Sequence, residues 1–404
     1  ILESLGLIVV EERLFRMTTD DGADLHLQDF GVRAADGGPI DVEADGDRLA
    51  EAAMAIWLGR AEADSLTRLV RRAGIAWDDV AVLRAYRRYR RQVGTSFTEA
   101  YQDDALVEWP EVARALVELF AARFDPRLAD AGQEAIDAAR QRVLDACDKV
   151  ERLDQDRILR GFLGMIDATL RTNRYREPSA DCLALKIDSA RVPDMPKPVP
   201  AVEIFVYSVD VEGVHLRGGK VARGGIRWSD RQEDFRTEIL GLMKAQMVKN
   251  AVIVPTGAKG GFVLKRPPSD PQELRAAVRR CYETFIRGLL DVTDNVVDGV
   301  VVPPPGVRRA DGDDPYLVVA ADRGTATFSD LANEIAEEYG FWLGDAFASG
   351  GSRGYDHKAM GITARGAWVA VQRHFRELDI DVQRESITVV GIGDMSGDVF
   401  GNGM

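Results

Sequence analysis

KAQMVKNAVIVPTGAKGG, residues 244–261, decides how this chain is read. Residues 230–249 carry the pattern of a helix. AVIVP at 251–255 follows as a short apolar run, the signature of a buried strand, and paired glycines come next. A helix handing over to a buried strand is the unit of an α/β layer. Just upstream, RGGIRW at 223–228 places two more cations among small and apolar residues. Ordinary cores avoid lysine because an unpaired buried charge is expensive. Catalytic sites use such crowding to bind anions and to lower the pKa of an amine. VVAADRGTATFSD at 318–330 offers an acid, and GIGDMSG at 391–397 offers a turn suited to a dinucleotide.

Outward from this stretch the alternation continues. CLALKID at 182–188 is a short strand, VPDMPKPVP at 192–200 is a connector, and AVEIFVYSVDVEGVHL is a strand region. Residues 273–290 and 328–341 read as helices. VVDGVVVPPPGV and PYLVVAAD read as strands, and SITVVGIG as a strand entering a glycine turn. Residues 1–45 look like strands and turns, too few for a domain by themselves. From about 47 to 173 helix dominates, with Pro110 in a first turn, a stop at Asp125-Pro126, and a long helical pattern over 133–170, one helix or two. The predicted fold is α/β and multidomain. Residues 1–45 are the end of a small α/β regulatory-like module and 46–177 a helical region. Residues 178–384 form an α/β substrate domain, and 385–404 begin a Rossmann-type coenzyme domain. On this reading residues 1–175 are a separable module for regulation or self-association, without chemistry of their own.

A formal charge of −14 disfavours binding to bulk nucleic acid or to an anionic membrane surface. The basic run RAYRRYRRQ at 84–92 has two tyrosines that could stack on bases, but a solvated helix face or a subunit contact explains it as well. Cys147, Cys182 and Cys281 are odd in number and far apart, which points to a reducing, cytoplasmic setting rather than a disulfide framework. No apolar run has the length of a membrane span. The chain opens on Ile and stops soon after its glycine turn, so it reads as an internal piece of a longer polypeptide, inactive alone. The four histidines form no metal-spaced set, and no metal site is expected.

Five motifs in fixed order, RGGIRWSDRQEDFRTEI, MKAQMVKNAVIVPTGAKGGFV, VVAADRGTA, FASGGSRGYDHKAMGITARGAW and TVVGIGDMSG, make residues 181–404 resemble the glutamate dehydrogenase family, in particular its very large bacterial NAD-dependent form. Residues 1–175 resemble the additional N-terminal region of that form. The resemblance implies oxidative deamination of L-glutamate to 2-oxoglutarate and ammonia, with NAD as cofactor, in a homo-oligomer without nucleic-acid or membrane partners. Dehydrogenases of leucine, valine or phenylalanine share the same chemistry and are the alternative. A regulatory or assembly fragment without activity is another.

Residue by residue, the resemblance implies that Lys259 is the catalytic lysine of a glycine-rich turn and Asp322 the catalytic aspartate at a strand end. Arg223 stands where the family commonly has a lysine for the distal carboxylate. Gln246 and Lys249, three apart on a helix, match the pair that holds the α-carboxylate. Gly391, Gly393 and Gly397 would take the pyrophosphate, with Thr363 near the nicotinamide. The spacing GxGxxxG departs from GxGxxG by one residue. Lys358 is a further cation near the cleft. Glycines around Lys259 would permit positive φ and close approach of substrate, and Lys249 and an arginine would crowd its ammonium and disfavour its charged form. Read alone, Gln246 and Lys249 can also be solvated helix residues, Asp322-Arg323 a salt-bridged turn, and GIGDMSG a tight loop.

Overall fold

In a computed structural model of the chain, residues 1–178, 180–249, 254–354 and 360–390 are described. The first 34 residues make a long two-stranded antiparallel ribbon, β1 (Leu7–Thr18) with β2 (Asp24–Ala34). Cross-strand pairing puts Phe15 opposite Leu27 and Met17 opposite Leu25 on one face, and all four are about half exposed.

Helices follow: α1 (Val42–Trp57), α2 (Trp77–Val93), α3 (Glu99–Glu108), α4 (Pro110–Phe124), α5 (Gly132–Cys147) and α6 (Leu153–Ala168). Their ends have local causes. Asp41 and Thr98 accept backbone N–H groups at the starts of α1 and α3, Pro110 begins α4, and Gly94 closes α2 in the left-handed conformation. The long helical pattern over 133–170 is two helices, α5 and α6.

The sheet has eight strands: β3 (Thr169–Thr172), β4 (Leu183–Ile187), β5 (Val202–Tyr207), β6 (Val211–Arg217), β7 (Ala222–Trp228), β8 (Thr256–Leu264), β11 (Val318–Ala321) and β12 (Ala348–Ser349). A separate small hairpin pairs β9 (Asn295–Val297) with β10 (Val300–Val302). The order in the large sheet is β12-β11-β7-β8-β6-β5-β4-β3. Strands β12, β11, β7 and β8 run parallel, and from β8 to β3 each pair is antiparallel. The remaining helices are α7 (Phe235–Lys249), α8 (Pro271–Asp291), α9 (Ser329–Glu338) and α10 (Ile362–Arg376).

Both faces of the sheet are covered, so its central strands are buried almost continuously. Tyr86, Tyr89, Phe120 and Phe162 of the N-terminal helices pack with Leu185, Phe205 and Leu216 of the sheet and Phe235 and Met243 of α7. On the other face Phe285 and Leu289 of α8 and Ile335 of α9 meet Ile204, Ile226, Phe262 and Val319.

This architecture corrects the expected boundary at 177/178. The sheet starts at Thr169, and helices α2 to α6 share one core with its face, so residues 1–175 cannot be removed without uncovering that core. Polar contacts bind the layers too. Arg236 on α7 donates to Glu203 on β5 (Nε–Oε2 2.9 Å), and Tyr89 on α2 donates to the same oxygen (3.0 Å).

The basic run at 84–92 is likewise neither a solvated face nor a nucleic-acid surface. Arg84, Arg87 and Arg90 are only 1%, 3% and 6% exposed. Arg84 grips Asp64 with two 2.8 Å bonds, Arg87 reaches Asp103 at 2.6 Å, and Arg90 donates to the carbonyl of Ile158. Buried guanidinium groups require such partners. A third correction concerns SITVV. Residues 386–390 join no ladder among the described residues, and Val390 is 86% exposed. Apolar alternation marks a strand only when a neighbouring strand satisfies its backbone. Most of the AVIVP run, residues 251–253, lies outside the described residues.

His215 on β6 is fully buried, and neither ring nitrogen has a hydrogen-bond partner. Burial, followed by the neighbouring charge of Arg217, pushes its pKa down to about 3, with Asp314 opposing. A folded-state pKa below the unfolded one means that stability is complete above pH 6.5 and is lost as pH falls from 6.5 toward 3. Between pH 6.5 and 5 this group is expected to remove about 2 kcal/mol. His215→Gln abolishes that share, so urea unfolding at pH 7.5 and 5 should show a smaller acid loss in the variant. Equal losses in both proteins would contradict the assignment.

Candidate active site

Three parallel strands carry the site. In the register of β8, β7 and β11, Arg223 lies opposite Gly257 and Val318, and Ile226 opposite Gly260 and Ala321. Side chains alternate along strands, so Arg223, Arg227, Lys259 and Gly261 share the face on which α7 packs. The helix runs close to β8. A Cβ on Gly257 would stand 2.7 Å from the backbone N of Met247, and one on Gly261 2.3 Å from Ile239 Cδ1. Lys259 lies between these two points of contact.

Lys259 is therefore in a strand, not in the glycine turn its motif suggests. None of Gly257, Gly260 and Gly261 has positive φ. Their role is to let α7 and the neighbouring strands approach. Of the two cations expected to crowd the ammonium of Lys259, Lys249 has no described side chain and Arg227 stands close by, sharing one carboxylate oxygen with that ammonium. The ammonium meets the carboxylate of Asp322, with Nζ 2.5 Å from Oδ2. Asp322 follows β11 directly, so lysine and aspartate meet across the intervening strand β7. Gly225 of β7 keeps that space open, because a Cβ there would lie 3.2 Å from Cβ of Asp322.

Three further side chains belong to this cluster. Arg227 Nε donates to Asp322 Oδ2 at 3.2 Å, and its Nη1 to Glu238 Oε1 at 2.9 Å. Ser229 Oγ donates to Glu238 Oε2 at 2.6 Å. Lys259, Asp322, Arg227 and Glu238 are each 14–19% exposed, which leaves them reachable from solvent but mostly shielded. Burial works to raise the Asp322 carboxyl. Hydrogen bonds from Lys259, the Arg323 backbone and Arg227, with the charge of Lys259, outweigh it and hold the group below the usual carboxylate range. The turn that presents Asp322 is pinned by Thr325, whose hydroxyl donates to the Ile226 carbonyl at 2.6 Å and accepts from the Asp322 N–H at 3.2 Å. Arg227 and Glu238 stand inside the motif RGGIRWSDRQEDFRTEI. The signal that could have found them is a strand arginine eleven residues ahead of a helix carboxylate, a pairing that only folding reveals.

Arg223 is exposed, and its Nη2 donates to Ser349 Oγ at 2.8 Å. It shares the face of Lys259 but no hydrogen bond with it. Gln246 is half-buried near the end of α7, with its backbone and Cβ against Gly257. Lys249 is the last residue of α7 and Thr363 stands in the first turn of α10. Neither side chain is among the described ones. Gly391, Gly393 and Gly397, with Lys358, also lie outside the described residues. No strand–turn–helix cradle for a dinucleotide is found among those that are described. They also hold no group of His, Cys, Asp and Glu that could bind a metal, and no helix long and apolar enough to cross a membrane.

Residues 142–404 match the family model for the bacterial NAD-glutamate dehydrogenase catalytic domain. The chain belongs to that family. Residues 61–126 match helical motif 3 of glutamate dehydrogenase, and residues 1–44 its ACT3 domain. The NAD-specific glutamate dehydrogenase of Mycobacterium tuberculosis is 56% identical over the whole of this chain, which covers 26% of that protein. The proteins of the same name from Pseudomonas aeruginosa and Halomonas elongata are 55% and 53% identical, again over the whole chain, which covers 26% and 25% of them. The chain thus spans about a quarter of the length of these relatives. Lys259, Asp322, Arg227 and Glu238 all fall within the matched catalytic domain.

Proposed function

We propose that the full-length protein catalyses the reversible oxidative deamination of L-glutamate to 2-oxoglutarate and ammonia, with NAD as hydride acceptor. The observation that carries this reading is the Lys259–Asp322 ion pair at 2.5 Å, held across parallel strands of the family's catalytic domain. Lys259 activates the attacking water and stabilises charge on the carbinolamine. Asp322 moves protons to and from the amino nitrogen. Both roles require polar groups held ready in a shielded cleft. Gln246 and Lys249 hold the α-carboxylate, and Arg223 exchanges Ser349 for the side-chain carboxylate. Gly391, Gly393, Gly397 and Thr363 serve the cofactor, no step of which is assigned to the described residues. The protein acts as a cytoplasmic homo-oligomer, and residues 1–45 belong to a regulatory module.

Initial rates with L-glutamate and with L-leucine, each with NAD, test the reading directly. Glutamate should be preferred by several orders of magnitude, and a preference for leucine would replace it with the sister reaction. Arg223→Ala should raise KM for glutamate by about 100-fold, the loss of a charge-assisted bond worth ~2–3 kcal/mol. Its effect on an apolar amino acid should be small. Equal effects on both substrates would remove Arg223 from specificity.

A further inference from the structure

Asp322 has two cationic partners, and they differ in kind. Lys259 and Arg227 both reach its Oδ2, at 2.5 and 3.2 Å, while Arg227 Nη2 stands 3.5 Å from Oδ1. The lysine has a flexible stem and, among the described residues, this one ion-pair partner. The arginine is held on its far side by Glu238, which Ser229 holds in turn. Among the described residues, the charged side chains facing one another are thus two cations and two carboxylates. If Lys259 turns to substrate, as the proposed function requires, Arg227 is the one cation among the described residues left between the carboxylates of Asp322 and Glu238. A planar guanidinium can bond both at once through different nitrogens, whereas an ammonium is a single centre.

We propose that Arg227 is the positioning residue for Asp322, a bridge anchored by Glu238 and Ser229 that keeps the aspartate in place and ionised while Lys259 engages the substrate. This rests on the function proposed above. The backbone supports it. Trp228, next to Arg227, donates its N–H to the carbonyl of Arg323, next to Asp322, at 3.1 Å, so strand and turn are locked where the two side chains meet. Without Arg227, Asp322 and Glu238 would confront each other as like charges, which favours taking up a proton. An aspartate that must accept a proton would then be lost from the cycle at a higher pH.

Arg227→Gln, Arg227→Lys and Glu238→Gln in the full-length protein, with Lys259→Ala and Asp322→Asn alongside, test the assignment by pH–rate profiles of glutamate oxidation. Arg227→Gln should lower kcat by about 100-fold, with KM for glutamate changed less than about 3-fold. It should also move the acid limb of kcat/KM upward by about one pH unit. Arg227→Lys should restore part of kcat and most of the acid limb, and Glu238→Gln should fall between wild type and Arg227→Gln. A rise in KM at unchanged kcat would make Arg227 a substrate-binding residue and overturn the proposal. An unmoved acid limb, or a loss of activity matched by a loss of thermal stability that Arg227→Lys does not rescue, would overturn it as well. Full turnover in Lys259→Ala and Asp322→Asn would instead refute the function on which the proposal rests.

Discussion

Lys259→Ala in the full-length protein is expected to lower kcat for glutamate by about 1,000-fold or more, and Asp322→Asn by a similar factor. The alanine removes the group that reaches Asp322 at 2.5 Å and, in the proposed chemistry, the group that activates water. The asparagine keeps the shape of the aspartate but cannot take a proton. Neither change should unfold the protein. Both side chains are partly exposed, and the glycines that pack β8 against α7 are untouched. Circular dichroism and the thermal midpoint verify this, while steady-state rates measure the effect. A variant that keeps even a tenth of wild-type turnover would remove its residue from the chemistry.

Gly224→Ala is expected to be the most destabilising single-methyl change in the sheet, at about 4 kcal/mol or more. A Cβ at this position would stand 1.6 Å from the carbonyl oxygen of Ala258, and the obstacle is backbone of the adjacent strand, which has no rotamer to escape into. Strands β7 and β8 must part, and the reach from Lys259 to Asp322 is set by that spacing. Gly241→Ala is the matched control. It lies in α7 with nothing within 4 Å of the added methyl and should be neutral, or stabilising by up to ~1 kcal/mol through helix propensity. Urea midpoints of the two variants decide it. Equal stability would mean that the strands yield at this point without cost.

The α/β character, the helical pattern over 133–170, the helix at the core of the opening stretch and the start of α4 at Pro110 were all legible in the sequence. Each depends on contacts within a few residues: periodic burial of one face, a capping side chain, a proline without its N–H. Membership of the family was also legible, because five motifs in order are a property of the chain and not of its folding. What the sequence could not show is how distant pieces use each other. TGAKGG looks like a turn because glycine is usually chosen for positive φ. Here Gly257, Gly260 and Gly261 are chosen for close packing against Met247, Ile226 and Ile239, partners on a different helix or strand.

RAYRRYRRQ looks like a wet surface because its partners, Asp64 of a loop and Asp103 and the carbonyl of Ile158 on other helices, lie elsewhere in the chain. SITVV looks like a strand, yet it joins none among the described residues, since alternation states a preference and only a neighbour can satisfy it. The sequence by itself determined the local elements, the family and the residue types able to do the chemistry. The tertiary structure alone decided that Lys259 and Arg227 share the carboxylate of Asp322, and that Glu238 stands behind the arginine. The cause is that side-chain electrostatics act over a few ångströms of space, and β7, β8 and β11 bring within that range residues that the chain keeps about sixty and about one hundred positions apart.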